Sequence, residues 1–424
     1  MKKKCIKGTA LALLAAMSLS IGAVPMTGAF APSNSEKKSV IEEGANLSVM
    51  EKPSQQETKK ENMEKLPQLA PGSEEYIPTI QATPLAETLN MLEGDIYEVA
   101  SNYEKGKSEA YYQKGVDHFA PVEVAMSWTA EEGALYYTVK LGTDKSLTNA
   151  TSYVTFETVL PLPNIFMGEQ YYYQITAHYA DKAVKSRIFE FATAHLPRTI
   201  ALEGVSNTRD AGGYYTEDGQ YRIRQGLVYR GGKLEDITAA AREKALNVYG
   251  FKTDLDLRAE ATKSPLGDTV NFVNVSGPYY VAGENGILSE TDSSKGPWKG
   301  TYRDALLTEI RTFANPANYP IYVHCSLGRD RTGTIIFLIN ALCGVGEMDL
   351  FMDYELSFFS AVGTADSAMP KQMVNTAFTS LYNYFKNYGD GTLKDNTEKF
   401  MLDIGITQAE IDSIRNMLCE EVKK

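Results

Sequence analysis

A chain of 424 residues exceeds one ordinary hydrophobic core and implies two domains plus non-globular segments. Its 43% hydrophobic and 23% charged content belongs to soluble globular material. The net charge of −12 argues against a partner that is nucleic acid or a broadly anionic membrane, since either needs a basic face. Any attraction for phosphate must therefore be local.

Lys2, Lys3 and Lys4 precede an apolar run from Ala10 to Val24, and Ala29-Phe30-Ala31 offers a small-residue cut. That is the layout of a secretory signal peptide over residues 1–31, which predicts an exported, secreted or envelope protein. Pro32 is awkward directly after that cut, so cleavage near Ala23 stays open. The run is too short and too interrupted by Ser, Gly and Pro to remain as a transmembrane anchor. Cys5 lies ahead of it, leaving Cys325, Cys343 and Cys419 in the mature chain, too few for a disulfide framework. Two buried free thiols at Cys343 and Cys419 are expected, with a bridge between them as the alternative.

Residues 32–115 read as a polar spacer, rich in Lys, Glu, Ser, Gln and Pro and without a clean period from Thr83 onward, and are expected to be disordered. From 116 to 195 the pattern changes to short alternating strands: Val122–Trp128, Tyr136–Leu141, Gln170–His178 and Ser186–Thr193. Strands at this spacing predict an all-β sandwich. With the early Trp128, the tyrosine-rich strand and the turn near Pro163, it resembles a fibronectin type III module, whose partner the residues do not name. His178 and His195 lack a ligand pattern and read as plain surface or core residues.

From 196 to 424 strand and helix patterns alternate, which predicts an α/β domain with a central, mostly parallel sheet. Gly226–Arg230 and Thr253–Arg258 read as strands, and Thr238–Tyr249 as a helix capped by Asp236 or Thr238. The organising stretch is Ile321–Gly333. An apolar strand stops at His324-Cys325, a short loop follows, and a helix begins at Thr332. Loop N–H groups and the helix dipole converge there on a site for a dianion, and the same positive field favours a Cys325 thiolate. Arg331 can clamp two phosphate oxygens, and the Thr332 hydroxyl can donate to the sulfur. Arg258 and Glu260 are brought near by topology and are expected to contact substrate or its phosphate, because ligand sites in such sheets lie beyond the carboxyl ends of the strands.

With His324, Cys325, Gly328, Arg331 and Thr332 in these places the chain resembles the Cys-x5-Arg phosphatases. Three segments that precede the loop, Asn207–Tyr214, Tyr229–Leu234 and Asp256–Arg258, and one that follows it, Asp353–Ser357, narrow the resemblance. It is to the atypical, exported bacterial tyrosine phosphatases, which share with myotubularins an Asp-Arg-Thr loop ending. His324, Arg209, Asp210 and Asp256 are expected to support the loop, although Arg209 with Asp210, and Asp256 with Arg258, also read as simple structural pairs. The implied chemistry is attack of Cys325 on phosphorus, with Ser326, Leu327, Gly328 and Arg329 lining the phosphate loop and neither cofactor nor metal required. Pro297-Trp298-Lys299 lacks the aspartate of the usual acid loop, so the resemblance nominates Asp330 as general acid, with Glu260 and Asp256 in reserve.

Phosphorylated protein or peptide carrying phosphotyrosine is the leading substrate. Phosphoinositides or inositol polyphosphates come second, because Arg329, expected to contact substrate, with Lys233 and Lys299 would suit multiply phosphorylated ligands. An envelope binding protein with an inactive phosphatase domain is the alternative from a different class, against which an intact Cys325 and Arg331 count.

Overall fold

A computed structural model describes residues 74–76, 80–86, 88–89, 92, 98, 117–118, 121, 124–162, 164–195, 197–258, 261–278, 303–361 and 371–422, all within the unit Pro67–Lys424. The candidate export signal, Glu260, Trp298 and Lys299 lie outside the described residues.

The first module holds strands β1 (Glu74–Tyr76), β2 (Thr88–Leu89), β3 (Ala125–Ser127), β4 (Tyr136–Gly142) and β5 (Thr151–Thr155). It continues with β6 (Val159–Pro161), β7 (Gln170–His178), β8 (Ala183–Lys185) and β9 (Phe189–Thr193). Seven of them form one sheet in the order β1-β8-β7-β4-β5, with β9 also on β7 and β2 on β9; β3 and β6 pair separately. Period-two burial explains this: Tyr171, Tyr173, Ile175 and Ala177 of β7 and Tyr137, Val139 and Leu141 of β4 all point inward. There they meet Met126 and Trp128, the latter edge-on to Tyr137 at 5.4 Å. Tyr171 and Tyr173 stack on Phe191 and Phe189.

One expectation is corrected here. Part of the stretch read as spacer belongs to the folded body: Ile80 and Leu89 are buried in this core, and β2 runs parallel to β9. Leu92 is buried in the core of the next module. No local period marks these residues: Leu89 is buried through pairing with a distant strand, and Ile80 and Leu92 through packing against cores built elsewhere in the chain.

The second module contains β10 (Arg209–Asp210), β11 (Tyr221–Ile223), β12 (Val228–Gly231), α1 (Ala239–Asn247), β13 (Thr253–Asp256) and β14 (Asn271–Asn274). Then come α2 (Arg303–Ala314), β15 (Ile321–His324), α3 (Asp330–Cys343), α4 (Glu347–Glu355), α5 (Lys371–Lys386), α6 (Leu393–Ile404), α7 (Gln408–Leu418) and β16 (Cys419–Glu421). The sheet order is β10-β12-β15-β13-β14, parallel except for edge strand β10. Alternation gives the sheet two covered faces. Ile321 and Val323 face α2, α3 and the C-terminal helices, while Tyr322 faces α1 with Tyr229, Tyr249 and Phe251. Helix α3 is buried from Thr332 to Cys343, which explains why its sequence carries no polar stripe. Thr238 caps α1 by accepting from the Ala241 N–H. Register brings Gly231, His324 and Asp256 level, so three strands end together at Cys325.

Arg198 and Asp210 join the modules. Arg198 is 2% exposed, donates to the Ile165 carbonyl at 2.8 Å and pairs with Asn164 and the Asp210 carboxylate. Asp210 also accepts from the N–H groups of Gly212 and Gly226. Gln225 and Met167 exchange two hydrogen bonds beside them. Asp210→Asn strands the Arg198 charge in a buried setting and should lower folding stability by about 3 kcal/mol. Urea unfolding checks this: the midpoint falls with the slope unchanged, and a wild-type midpoint contradicts it.

Candidate active site

Central strand β15 ends at His324, and Cys325, 5% exposed, opens the loop that leads into α3. Three successive loop carbonyls are bonded from outside, and a fourth by the first turn of α3. The Ser326 oxygen accepts from the Lys233 N–H at 3.2 Å, Leu327 from Asn207 Nδ2 at 2.9 Å, Gly328 from Arg230 Nη2 at 2.7 Å, and Arg329 from the Gly333 N–H at 2.8 Å. In a planar trans peptide the next N–H points the opposite way, so the amides of residues 327 to 330 turn toward the other side of the loop. The N–H groups of Asp330, Arg331 and Thr332 follow at the start of α3, where no intrahelical acceptor exists. This is an anion cradle of amides at a helix N-terminus. Gly328 is required twice over: its φ is +68°, and a Cβ would lie 2.2 Å from the Gly231 oxygen.

The donors behind the loop form a buried network. Arg230 and Arg209 both pair with Asp353 of α4. Arg209 also donates to the Asn207 side-chain oxygen at 2.5 Å and to the Asp353 carbonyl at 2.6 Å. Asn207 takes φ +62°, an uncommon conformation for a non-glycine residue, and thereby presents its amide to Leu327. Burial, together with the adjacent Arg230 charge, lowers the Arg209 pKa to about 10 despite Asp353. Arg209 thus acts on the loop, whereas Asp210 does not. The expectation that Asp210 supports the loop is corrected, and the alternative of an Arg209–Asp210 pair is not realised either, because neighbours on a strand face opposite ways.

His324 is fully buried, with Nε2 2.9 Å from Asp254 Oδ1, while Ser264 donates to the other Asp254 oxygen at 2.6 Å. Burial works against the imidazolium, but the Asp254 hydrogen bond and the Asp254 and Asp256 charges outweigh it and raise the His324 pKa. Nδ1 lies 3.2 Å from the Cys325 carbonyl oxygen, so the ring that these aspartates hold toward its charged form stands directly behind the cysteine.

A family model described as "Tyrosine phosphatase family" matches residues 200–420, just over half of the chain. The chain belongs to this family. A Cupriavidus necator protein named, by inference only, a tyrosine-protein phosphatase is 28% identical over 171 residues, covering 37% of this chain and 61% of the relative. A Dictyostelium discoideum protein named in the same guarded way is 26% identical over 93 residues, covering 22% and 54%. The chain thus spans between half and two thirds of the length of these curated relatives. The core catalytic domain of the PP-IP phosphatase SIW14 from S. cerevisiae aligns over 47% of this chain and 94% of its own at 16% identity, with a TM-score of 0.27. At that score the likeness carries nothing about substrate.

Within this tyrosine phosphatase family member, the remaining predicted residues divide. Arg331, at the first turn of α3, donates to the Leu257 carbonyl at 3.2 Å. The Thr332 hydroxyl is fully buried and has no partner among the described residues, leaving it available beside the loop. Two placements are corrected. Arg258 was expected to face substrate, but Asp256 takes its Nε and Nη2 at 2.9 and 2.8 Å, and Glu235 adds a third contact at 2.5 Å. Arg329 was expected to reach substrate, yet it is 2% exposed, forks onto Asp330 at 2.8 and 3.3 Å and lies over the Phe358 ring. An arginine stem with an aromatic and a carboxylate in reach buries itself. Glu260 lies outside the described residues.

Arg230 and Asp353 lie in segments that the sequence marks but were given no role, and Asp254 and Glu309 were not singled out. Glu309 of α2 is 1% exposed, and its Oε1 has no hydrogen-bond partner among the described residues. Burial pushes its carboxyl well above the carboxylate range, against the pull of nearby Arg331. A sequence signal existed: Glu309 falls on the apolar stripe of Leu306, Ile310 and Phe313.

Arg230→Lys cannot serve both Asp353 and the Gly328 carbonyl, and should weaken tungstate binding roughly 10- to 100-fold by calorimetric titration. Unchanged affinity removes the brace from its role. The raised His324 pKa also makes stability pH-dependent. Its contribution is complete below about pH 6.5, the unfolded value, and is lost as pH rises through the higher folded value. Urea midpoints should therefore fall more steeply with rising pH in the wild type than in His324→Gln. Parallel pH profiles contradict this.

Proposed function

We propose that the protein is an exported, cysteine-dependent phosphatase that hydrolyses phosphomonoesters, foremost protein phosphotyrosine, through a phosphocysteine intermediate. The observation that carries this reading is the outward bonding of the carbonyls of residues 326 to 329, which commits the following amides to an anion beside Cys325. In this reading Cys325 attacks phosphorus in line, and the amides with Arg331 take the charge of the equatorial oxygens. The P–O bond to the alcohol breaks, and water then hydrolyses the thiophosphate. The phosphotyrosine preference draws support from the family description and the relatives' names. The inositol phosphate alternative loses one argument, since Arg329 is spent on Asp330 and Phe358.

Asp330 stays the first candidate for general acid. Its side chain is 17% exposed, whereas both oxygens of buried Asp256 serve Arg258. Both Asp330 oxygens accept from Arg329, so that fork must open before a proton can be passed. The fibronectin type III likeness of the first module and the export signal are carried as parts of the same reading, the signal resting on Lys2–Lys4 and the apolar run.

Wild type and Cys325→Ser are compared on p-nitrophenyl phosphate: turnover should be lost in the variant, while equal and negligible rates favour a binding module with an inactive domain. Release of phosphate from phosphotyrosine peptide, phosphoinositide and phytate then ranks substrates, and a strong preference for either inositol compound overturns the first choice. Asp330→Asn should lower kcat about 100-fold or more with alkyl phosphates and less with p-nitrophenyl phosphate, whose leaving group needs little protonation. Full activity on alkyl esters removes Asp330 from the role.

A further inference from the structure

Cys343 and Cys419 stand apart from the phosphate loop. Cys343 is the last residue of α3, 2% exposed, and Cys419 opens β16, partly buried against the same core. The α3 end and the C-terminal segment are pinned together. Arg415 donates twice to the Leu342 carbonyl, at 3.1 and 3.0 Å, and β16 pairs with β11 so that Cys419 lies opposite Ile223. The two thiol groups hydrogen-bond to each other, and both are free. Lys394, Arg415 and Arg224 surround Cys419 with positive charge. An open cavity of about 330 Å³, lined by Thr216, Tyr221, Cys343 and Lys394, opens onto the Cys343 side of the pair, and Cys419 is itself partly exposed.

We propose that Cys343 and Cys419 form a redox-active dithiol that a small disulfide compound converts into an intramolecular disulfide. The asymmetry of the pair sets the order of events. The hydrogen bond from Cys343 lowers the Cys419 pKa against its partial burial, and the three cations act in the same direction. The same bond and burial push the Cys343 thiol up. The Cys419 thiolate therefore attacks one sulfur of the disulfide R–S–S–R, forming Cys419–S–S–R and releasing R–S⁻. Cys343 then gives its proton to solvent or to the departing thiolate and attacks the Cys419 sulfur, expelling the second R–S⁻. Two protein thiols are oxidised, one small disulfide is reduced to two thiols, and the balance closes with R–S–S–R as oxidant. Cys325 is not a partner in this exchange. Between Arg331 and Cys343 the helix alone rises about 18 Å, beyond the reach of a disulfide. The bond would tie the far end of the helix that begins at the phosphate loop to the C-terminal strand. This inference is independent of the catalytic reading.

The full-length protein is incubated with glutathione disulfide, unfolded in the presence of iodoacetamide, digested without reduction and mapped by mass spectrometry. The expected product is a peptide pair joined through Cys343 and Cys419 that separates on treatment with dithiothreitol. In Cys343→Ser the resolving sulfur is gone, and Cys419 should retain one glutathione. Finding both residues alkylated in the wild type, under conditions that oxidise a control dithiol peptide, overturns the proposal. So does either residue joined to Cys325. Should the variant fail to fold, the wild-type map alone decides.

Discussion

Everything at the site depends on which way a few peptide groups face. An amide cradle has no side chain to aim it; only its carbonyls can be held, and here they are held from behind. Lys233 N–H, Asn207, Arg230 and the first helical turn each take one oxygen. Two of these donors are themselves fixed by Arg209 and Asp353. The loop is therefore a consequence of a buried charge network spanning β10, β12 and α4. A network with two arginines on one aspartate carries surplus positive charge, and burial makes that charge felt. A protein of net charge −12 thus builds a local anion site from buried charge and backbone amides.

A second charge system operates from the other side of the cysteine. Asp254 and Asp256 hold the His324 ring toward its charged form, with Ser264 completing the hydrogen bonding of Asp254. Asp256 simultaneously ties down Arg258. The two aspartates are two residues apart on β13 and so share one face of the strand. The strand thus orients the histidine and immobilises Arg258. Glu309 adds a buried carboxyl beside Arg331.

Several side chains that looked like substrate contacts turned out to be internal bracing. Arg258 and Arg329 are long cations next to carboxylates in the same short segment. A partner one or two residues away is always at hand, whereas the substrate is intermittent. Arg209 and Asp210 illustrate the converse: adjacent in sequence, they belong to different networks, one under the phosphate loop and one at the junction with the first module.

Residue types and their order were enough for the strand–loop–helix unit, the places of His324, Cys325, Gly328, Arg331 and Thr332, the mostly parallel sheet and, in the first module, strands β3, β4, β7 and β9. Period-two and helical patterns, glycine at a left-handed position and a helix start are local physics, written within a dozen residues. Tertiary structure alone decided that Ile80, Leu89 and Leu92 join the folded body, that β16 returns to β11, and that Arg230, Asp353, Asp254 and Glu309 are parts of the site. Those contacts join residues far apart along the chain, and no local period records which buried charge will meet which partner once the strands are in register.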